Sequence, residues 1–422
     1  MDSVPTAIAR TGPTLSAMSR GLVALFALAC GLSVANVYYA QPLLDIVAAD
    51  FGVSRATIGG VVTATQAGSA LALLLLVPLG DRMERRRLLL MQLAALAVAL
   101  LVVADARSPR MLLAGMLAVG LLGTAMTQGL IACAAAAAMP AERGRVVGAA
   151  QGGVFVGLLL ARVVAGAIAD VAGWHGVYLA SAGAMLLLAV ALWWRLPAQP
   201  RAGEPLPYRR LLASMFALLA RDRVLQVRGV IALLMFAAFN IFWSALVFPL
   251  TAPPHGLSHT AVGAFGLVGA AGALAAMRAG AWADRGLAQR TSAGALLLLL
   301  AAWLPLSWLP SSLWALAIGI LMLDLGGQAI HVTNQSLILR AHAGAHSRLI
   351  GAYMLFYAAG SGLGAILATA AYASAGWSGV CALGAAVSAL ALAFWALTLR
   401  WMPATTASVH RAGEMPAAPP GH

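Results

Sequence analysis

The strongest constraint on this chain is a pattern: apolar runs of about 20 residues or more follow one another along nearly its whole length, separated by short turns that hold the charges. A helix of that length crosses a hydrocarbon core about 30 Å thick. With 62% hydrophobic and 9% charged residues, against roughly 25% charged in soluble domains, the chain has too little polar surface to cover a soluble globule. Backbone amides in lipid must be satisfied within their own segment, so Ala/Leu/Gly-rich runs read as helices, whereas a barrel would show short alternating strands. The pattern predicts an all-α membrane protein of twelve transmembrane helices. Six are expected near 21–47, 57–79, 88–105, 111–139, 147–170 and 174–195, and six near 226–251, 258–281, 291–310, 312–339, 349–373 and 376–400. The run after the polar residues 1–20 exceeds a signal-peptide core and reads as an uncleaved first span.

The net charge of +13 does not form a nucleic-acid face, because the basic residues sit in turns. They act as topology signals. Arg55, Arg107 and Arg110 fall on one side, and the larger set (Arg82, Arg85, Arg86, Arg87, Arg143, Arg145, Arg340, Arg348 and the arginines of the central loop) on the other. Arginine-rich short loops stay cytoplasmic, so both termini are expected in the cytoplasm, with the bundle in a bacterial inner membrane. The expected division is a cytoplasmic tail 1–20, a six-helix half 21–195, a cytoplasmic central loop 196–225, a second half 226–400 and a disordered tail 401–422.

Other classes are excluded by what is missing. All 26 basic residues are arginine. Without lysine there is no Walker A loop to hold nucleotide phosphates and no retinal Schiff base, leaving an ion gradient or the substrate's own gradient as the energy source. Cys30, Cys133 and Cys381 lie in apolar runs without ligand spacing and read as core packers. His255/His259 and His342/His346 have i,i+4 spacing but no carboxylate or thiol neighbours in sequence, so no metal site is expected. No cofactor fingerprint, nucleophile elbow or HExxH motif supports an enzyme, although a membrane enzyme or sensor using the bundle as a scaffold is the alternative from another class.

The chain repeats internally. Asp81-Arg82 recurs 203 positions on as Asp284-Arg285, Arg145 and Gly148 recur as Arg348 and Gly351, and Gly173-Trp174 recurs as Gly376-Trp377, all at that one offset. Asn36 with Tyr38-Tyr39 is similar to Asn240 with Phe242-Trp243. Two six-span halves in the same orientation imply parallel repeats about an axis along the membrane normal, with a path between them.

The loop Pro78-Leu79-Gly80-Asp81-Arg82-Met83-Glu84-Arg85-Arg86-Arg87 resembles the G-x-x-x-D-R-x-G-R-[KR] loop of the major facilitator superfamily, with Val77 and Glu84 at its glycine positions. Its second copy runs from Gly280 to Gly286. The segment Asn36–Leu44 and the stretch Asn334–Gly364 resemble a bacterial branch near the drug:proton antiporters. Gly153, Gly157, Ala161, Arg162 and Gly166 keep the spacing of the antiporter span-5 signature, with Arg162 where that signature has proline. The resemblance implies the major facilitator fold and a secondary active transporter, working by alternating access as a proton-coupled exporter (efflux, antiporter, multidrug resistance) of a drug-like compound, sugar or metabolite. The alternative is a symporter or facilitator importing a sugar or organic acid. The expected partners are a small-molecule substrate, protons and the lipid bilayer, with the monomer as working unit and no nucleic acid. The resemblance also implies a conformational latch. Gly80, Asp81, Arg82, Arg85, Arg145, Asp284, Arg285 and Arg348 are its candidates, Asp81 capping a helix N-terminus and pairing with Arg145 or Arg348.

For proton coupling, Asp324 leads, because a carboxylate near mid-span is expensive in lipid and must face a cavity or a partner. Gln328 and His331 follow at i+4 and i+7 on the same face, and His331 is placed to relay a proton. Arg162 is the second unusual charge, with Asp170 or Asp324 as its expected partner. A substrate lining is expected from Asn36, Tyr39, Gln41, Gln66, Gln128, Asn240, Trp243, Gln328, Tyr353 and Tyr357, with Ser69 and Thr124 beside them: aromatic and amide groups that suit flat, weakly polar ligands. For each of these the alternative is a purely structural hydrogen bond between helices.

Overall fold

The computed structural model describes residues 18–77, 79, 83–139, 141–196, 208–270, 272, 278–282, 285–341 and 346–401. Its spans start where caps and proline allow. Ser19 accepts from the Leu22 amide to begin span 1 (Arg20–Tyr38), and Ser108, followed by Pro109, begins span 4 (Pro109–Ala137). Asp222 and Ser258 cap spans 7 (Arg223–Ala245) and 8 (from His259) in the same manner. Span 2 is Gly60–Leu71 with a π-helical turn over Ala72–Leu76, span 3 is Arg85–Ala104, span 9 is Ala288–Ala301 extended by Trp303–Ser307, and span 10 is Leu313–Ala341.

Two helical stretches are twice the length of a membrane crossing, Arg143–Arg195 and His346–Thr398. Each folds back at one glycine, Gly173 (φ 68°) and Gly376 (φ 61°), a backbone region that side chains with a Cβ avoid. Spans 5 and 6, and 11 and 12, are therefore joined at equivalent points of the repeat. Among the described residues, eight helices are long and apolar enough to cross a membrane; the two doubled ones count twice, and the shorter apolar helices Gly60–Leu76 and His259–Gly269 bring the spans to twelve. No strand occurs among the described residues. Val171, Leu187, Trp194 and Trp314 stand exposed on the outside of the bundle, where lipid is the apolar partner.

A Cβ placed on Gly21 would lie 3.9 Å from the Arg195 guanidinium, so span 1 begins where span 6 ends. In the second half, Trp395 near the end of span 12 donates to Gln289 at the start of span 9. We call this face terminal and its opposite distal. The segment expected as a loop, 196–225, carries a helix, Tyr208–Arg221, because Leu212, Met215, Leu218 and Leu219 recur at helical spacing; Met215 is buried and Tyr208 donates to the Leu75 carbonyl of the first half. The tails 1–17 and 402–422 lie outside the described residues.

The two halves meet on the distal side in two equivalent crossings. Where span 5 crosses span 8, a Cβ on Gly166 would fall 2.2 Å from the His259 carbonyl oxygen and one on Gly263 would fall 2.3 Å from that of Arg162. Where span 2 crosses span 11, a Cβ on Gly59 would fall 2.5 Å from the Ala365 carbonyl oxygen. Thr63 donates to the Gly362 carbonyl at 2.7 Å, and Thr369 to that of Ala56 at 3.1 Å. Backbone therefore meets backbone at these points, as small residues permit in membranes. The small-residue stripe of span 5 serves two neighbours: Gly153 and Gly157 pack on Ala27 and Gly31 of span 1, within one half, whereas Gly166 faces the other half.

Candidate transport site

Span 1 breaks after Tyr38 and resumes as a single turn, Gln41–Leu43, whose Pro42 removes an amide donor from the helix. That break presents Gln41 at the boundary between the halves. Its Nε2 donates to Asn240 Oδ1 of span 7 at 3.1 Å, and its Oε1 accepts from Arg162 Nε of span 5 at 3.0 Å. Arg162 is buried, 3% exposed, with its guanidinium 4.0 Å from the Trp243 ring centroid and 5.6 Å from that of Tyr38. A desolvated cation over an aromatic face gains about 2 kcal/mol. Gln41, Arg162, Asn240 and Trp243 are thus brought together from both halves, and Tyr38 joins them, hydrogen-bonded to Tyr357 of span 11.

Asp324 faces this cluster from span 10 and is 5% exposed. Gly269 of span 8 makes room for it, since a Cβ there would lie 2.7 Å from Oδ2. Arg162 and Asp324 interact electrostatically but form no direct ion pair within 4.0 Å, and each keeps a buried polar atom without a partner, Arg162 Nη2 and Asp324 Oδ2. Buried polar atoms are normally satisfied, so this is an incomplete constellation with capacity for a further group. Asp170, the other expected partner of Arg162, is instead engaged by His259 and Thr260.

Nearer the terminal face a second cluster forms. His331 Nε2 lies 3.1 Å from Gln335 Nε2 and its Nδ1 lies 3.0 Å from the Tyr353 hydroxyl. An amide NH₂ only donates, so Nε2 accepts and Nδ1 carries the proton toward Tyr353. Among its hydrogen-bond partners there is no carboxylate: although His331 shares a helical face with Asp324, it is not bonded to it. Arg228, fully buried in span 7, donates to Ser292, Asn334 and Gln289, a neutral set that reading the sequence missed because an arginine at the start of an apolar run is ordinary.

The remaining candidates separate. Asn36 is turned into its own half, where it accepts from Ser181 at 2.6 Å and donates to the Leu32 carbonyl, so it ties spans 1 and 6. Tyr39 is buried beside Ser181. Gln66 is buried against Gly362 at the span 2 and 11 crossing with Oε1 unpartnered, while Thr124 donates to Ser69 and ties spans 4 and 2. Gln128 and Gln328 are half-buried, the latter beside Gly272. A cavity of about 580 Å³ opens elsewhere, between the end of span 8 and spans 9 and 10, lined by Arg278, Trp282, Arg290, Leu298 and Leu321. Of the latch candidates, Gly80, Asp81, Arg82 and Asp284 lie outside the described residues. Arg145 pairs with Glu142 at 2.9 Å; the Met18 amide and Arg145 together hold the Glu142 carboxyl below its ordinary range. Arg285 is exposed, Arg348 is half-buried, and Arg85 reaches toward the Ala132 carbonyl at 3.5 Å.

Two equivalent six-helix halves closed over buried, oppositely charged groups define a membrane carrier that works between its halves. The chain belongs to the Major Facilitator Superfamily, whose family model matches residues 23–348. It is 43% identical over 378 residues to the uncharacterized transporter YgaY of Escherichia coli strain K12, covering 90% of this chain and 95% of that one. A Streptomyces coelicolor protein named Probable transporter SCO4007 is 32% identical over 377 residues, 89% of this chain and 86% of its own. Among solved structures, a bacterial homolog to the human lysosomal transporter Spinster, inward-facing and unoccupied, matches with a TM-score of 0.73 at 16% identity, covering 91% of this chain and 97% of that one. The human organic anion transporter MFSD10 matches with a TM-score of 0.59 at 22% identity, covering 89% and 99%. The protein is a multi-pass membrane transporter and not an enzyme.

Proposed function

We propose that this transporter exports a small organic molecule from the bacterial cytoplasm in exchange for protons, working as a monomer in the inner membrane with both termini cytoplasmic. The orientation rests on the arginine bias, and on that reading the sealed distal face is periplasmic and the conformation inward-facing, like the Spinster homolog. One observation carries the coupling: Arg162 and Asp324, one from each half, are buried within each other's field, and each has an unsatisfied polar atom. A proton on Asp324 cancels its attraction for Arg162, and a substrate with a cationic or hydrogen-bond-donating group takes the proton's place on the Asp324 carboxylate. Proton and substrate therefore compete for one charge balance and exchange rather than travel together. Tyr38, Trp243 and Tyr357 give the ligand aromatic walls, and Gln41 and Asn240 give it hydrogen bonds.

The test is flux in reconstituted vesicles. Asp324→Asn is expected to abolish proton-driven transport while leaving folded protein in the membrane. Normal proton coupling in that variant removes the assignment. Uptake driven by an inward proton gradient would replace export with symport of a sugar or organic acid.

A further inference from the structure

His259 opens span 8 in the second half, yet its ring is held by carboxylates of the first. Nε2 lies 3.0 and 3.1 Å from the two oxygens of Asp45, and Nδ1 lies 3.3 Å from Asp170 Oδ1. An ionised carboxylate only accepts hydrogen bonds, and a neutral imidazole has a single N–H. The three groups thus hold one proton more than a neutral histidine and two carboxylates would. Their side chains are 16–25% exposed, shielded but within reach of distal water. Asp170 also accepts from the amides of His259 and Thr260, at 3.0 and 2.9 Å, and from Thr260 Oγ1 at 2.6 Å, so span 8 begins on a cap borrowed from span 5.

The surrounding charges are few. On the long helix of spans 5 and 6, Arg162 lies two turns deeper, and His175 stands 3.8 Å from Asp50, a pair contained within the first half. His255 is bonded to the Leu309 carbonyl, and Arg55 lies over the Phe248 ring. The other segments packed on the start of span 8, Val247–Thr251 and Phe265–Gly269, contain no ionisable residue.

We propose that Asp45, His259 and Asp170 form a second proton-binding site that exists only while the distal seam is closed. Opening the seam carries the imidazole away from both carboxylates, which strips the second N–H of its acceptor and releases the proton to distal water. The closed form binds the proton and the open form does not, so acid on the distal side favours closure, by up to about tenfold in the closed-to-open ratio per pH unit while one proton is exchanged. This rests on the alternating-access reading and is independent of any proton carried by Asp324.

The experiment uses the full-length protein in lipid vesicles, with spin labels at Ser54→Cys and Ser311→Cys reporting the separation of the halves across the distal face. With Asp324→Asn as the background, the closed population is expected to rise as pH falls from about 8 to about 5, the range in which imidazole titrates. His259→Gln and, separately, Asp45→Asn are expected to flatten that response, whereas His175→Gln leaves it intact. A response that survives in His259→Gln, or a closed population that ignores pH with His259 present, overturns the site. A seam that opens at no pH would overturn alternating access itself, and the site with it. A monodisperse elution profile of each variant in detergent serves as the check that it is folded.

Discussion

At the scale of single residues, the carrier keeps its charges in two different kinds of setting. Arg162 is stacked on Trp243 and held by one hydrogen bond, to Gln41, whereas Arg228 is hydrogen-bonded to Ser292, Asn334 and Gln289. The first setting suits a group that changes partners and the second a fixed tie, so the two should respond differently to substitution. Arg162→Lys loses the planar fork that stacks on Trp243 and reaches Gln41, and transport is expected to fall at least about tenfold with unchanged membrane expression. Arg228→Gln is expected to lower thermal stability by about 2–3 kcal/mol, since buried polar groups lose their partner, while substrate affinity stays within about twofold. Binding and melting measurements on purified protein check both. Asp324 and Arg162 are legible in the sequence because a charge inside an apolar run is rare and costly. The tie between His259 and Asp170 is not, because the two lie 89 residues apart and on different halves. For the same reason, the sequence places Asn36 in the substrate lining, while the fold turns it toward Ser181.

At the scale of helices, glycine separates packing that must hold from packing that must come apart. Gly153 sits against Ala27 within one half, with a prospective Cβ only 2.0 Å from its carbonyl oxygen, and Gly59 sits against Ala365 between halves. The same substitution should therefore have opposite consequences. Gly153→Val is expected to disrupt span 1 against span 5 and to cost about 1–3 kcal/mol or abolish folding, read as loss of monodisperse protein. Gly59→Val is expected to leave the halves intact and wedge the distal side apart, read as increased labelling of a cysteine placed at that seam. The glycine stripe of span 5 is visible in the sequence by its spacing, but spacing does not say that its two ends serve different partners. Nor does it foresee the helix Tyr208–Arg221, where charges at both ends conceal a short amphipathic core.

At the scale of the whole molecule, most of the architecture is written in hydropathy and in the 203-residue repeat, because both follow from the membrane's demand that each crossing satisfy its own backbone. The twelve spans and the two matching folds at Gly173 and Gly376 appear where those signals put them. The conformation is not written there, since hydropathy and repetition are the same whichever side of the bundle is closed. Orientation is open to direct measurement. A cysteine at Ser54 is expected to react with an impermeant reagent from the periplasm and one at Arg143 only from the cytoplasm; the reverse pattern would invert the assignment. The glycine crossings also bear on the energy economy of the cell. Where carbonyl touches helix with no side chain between, there is little room for a continuous file of water, and hence for ions to slip through unaccompanied. Such a seal lets the protein sit in an energised membrane in large numbers without discharging it.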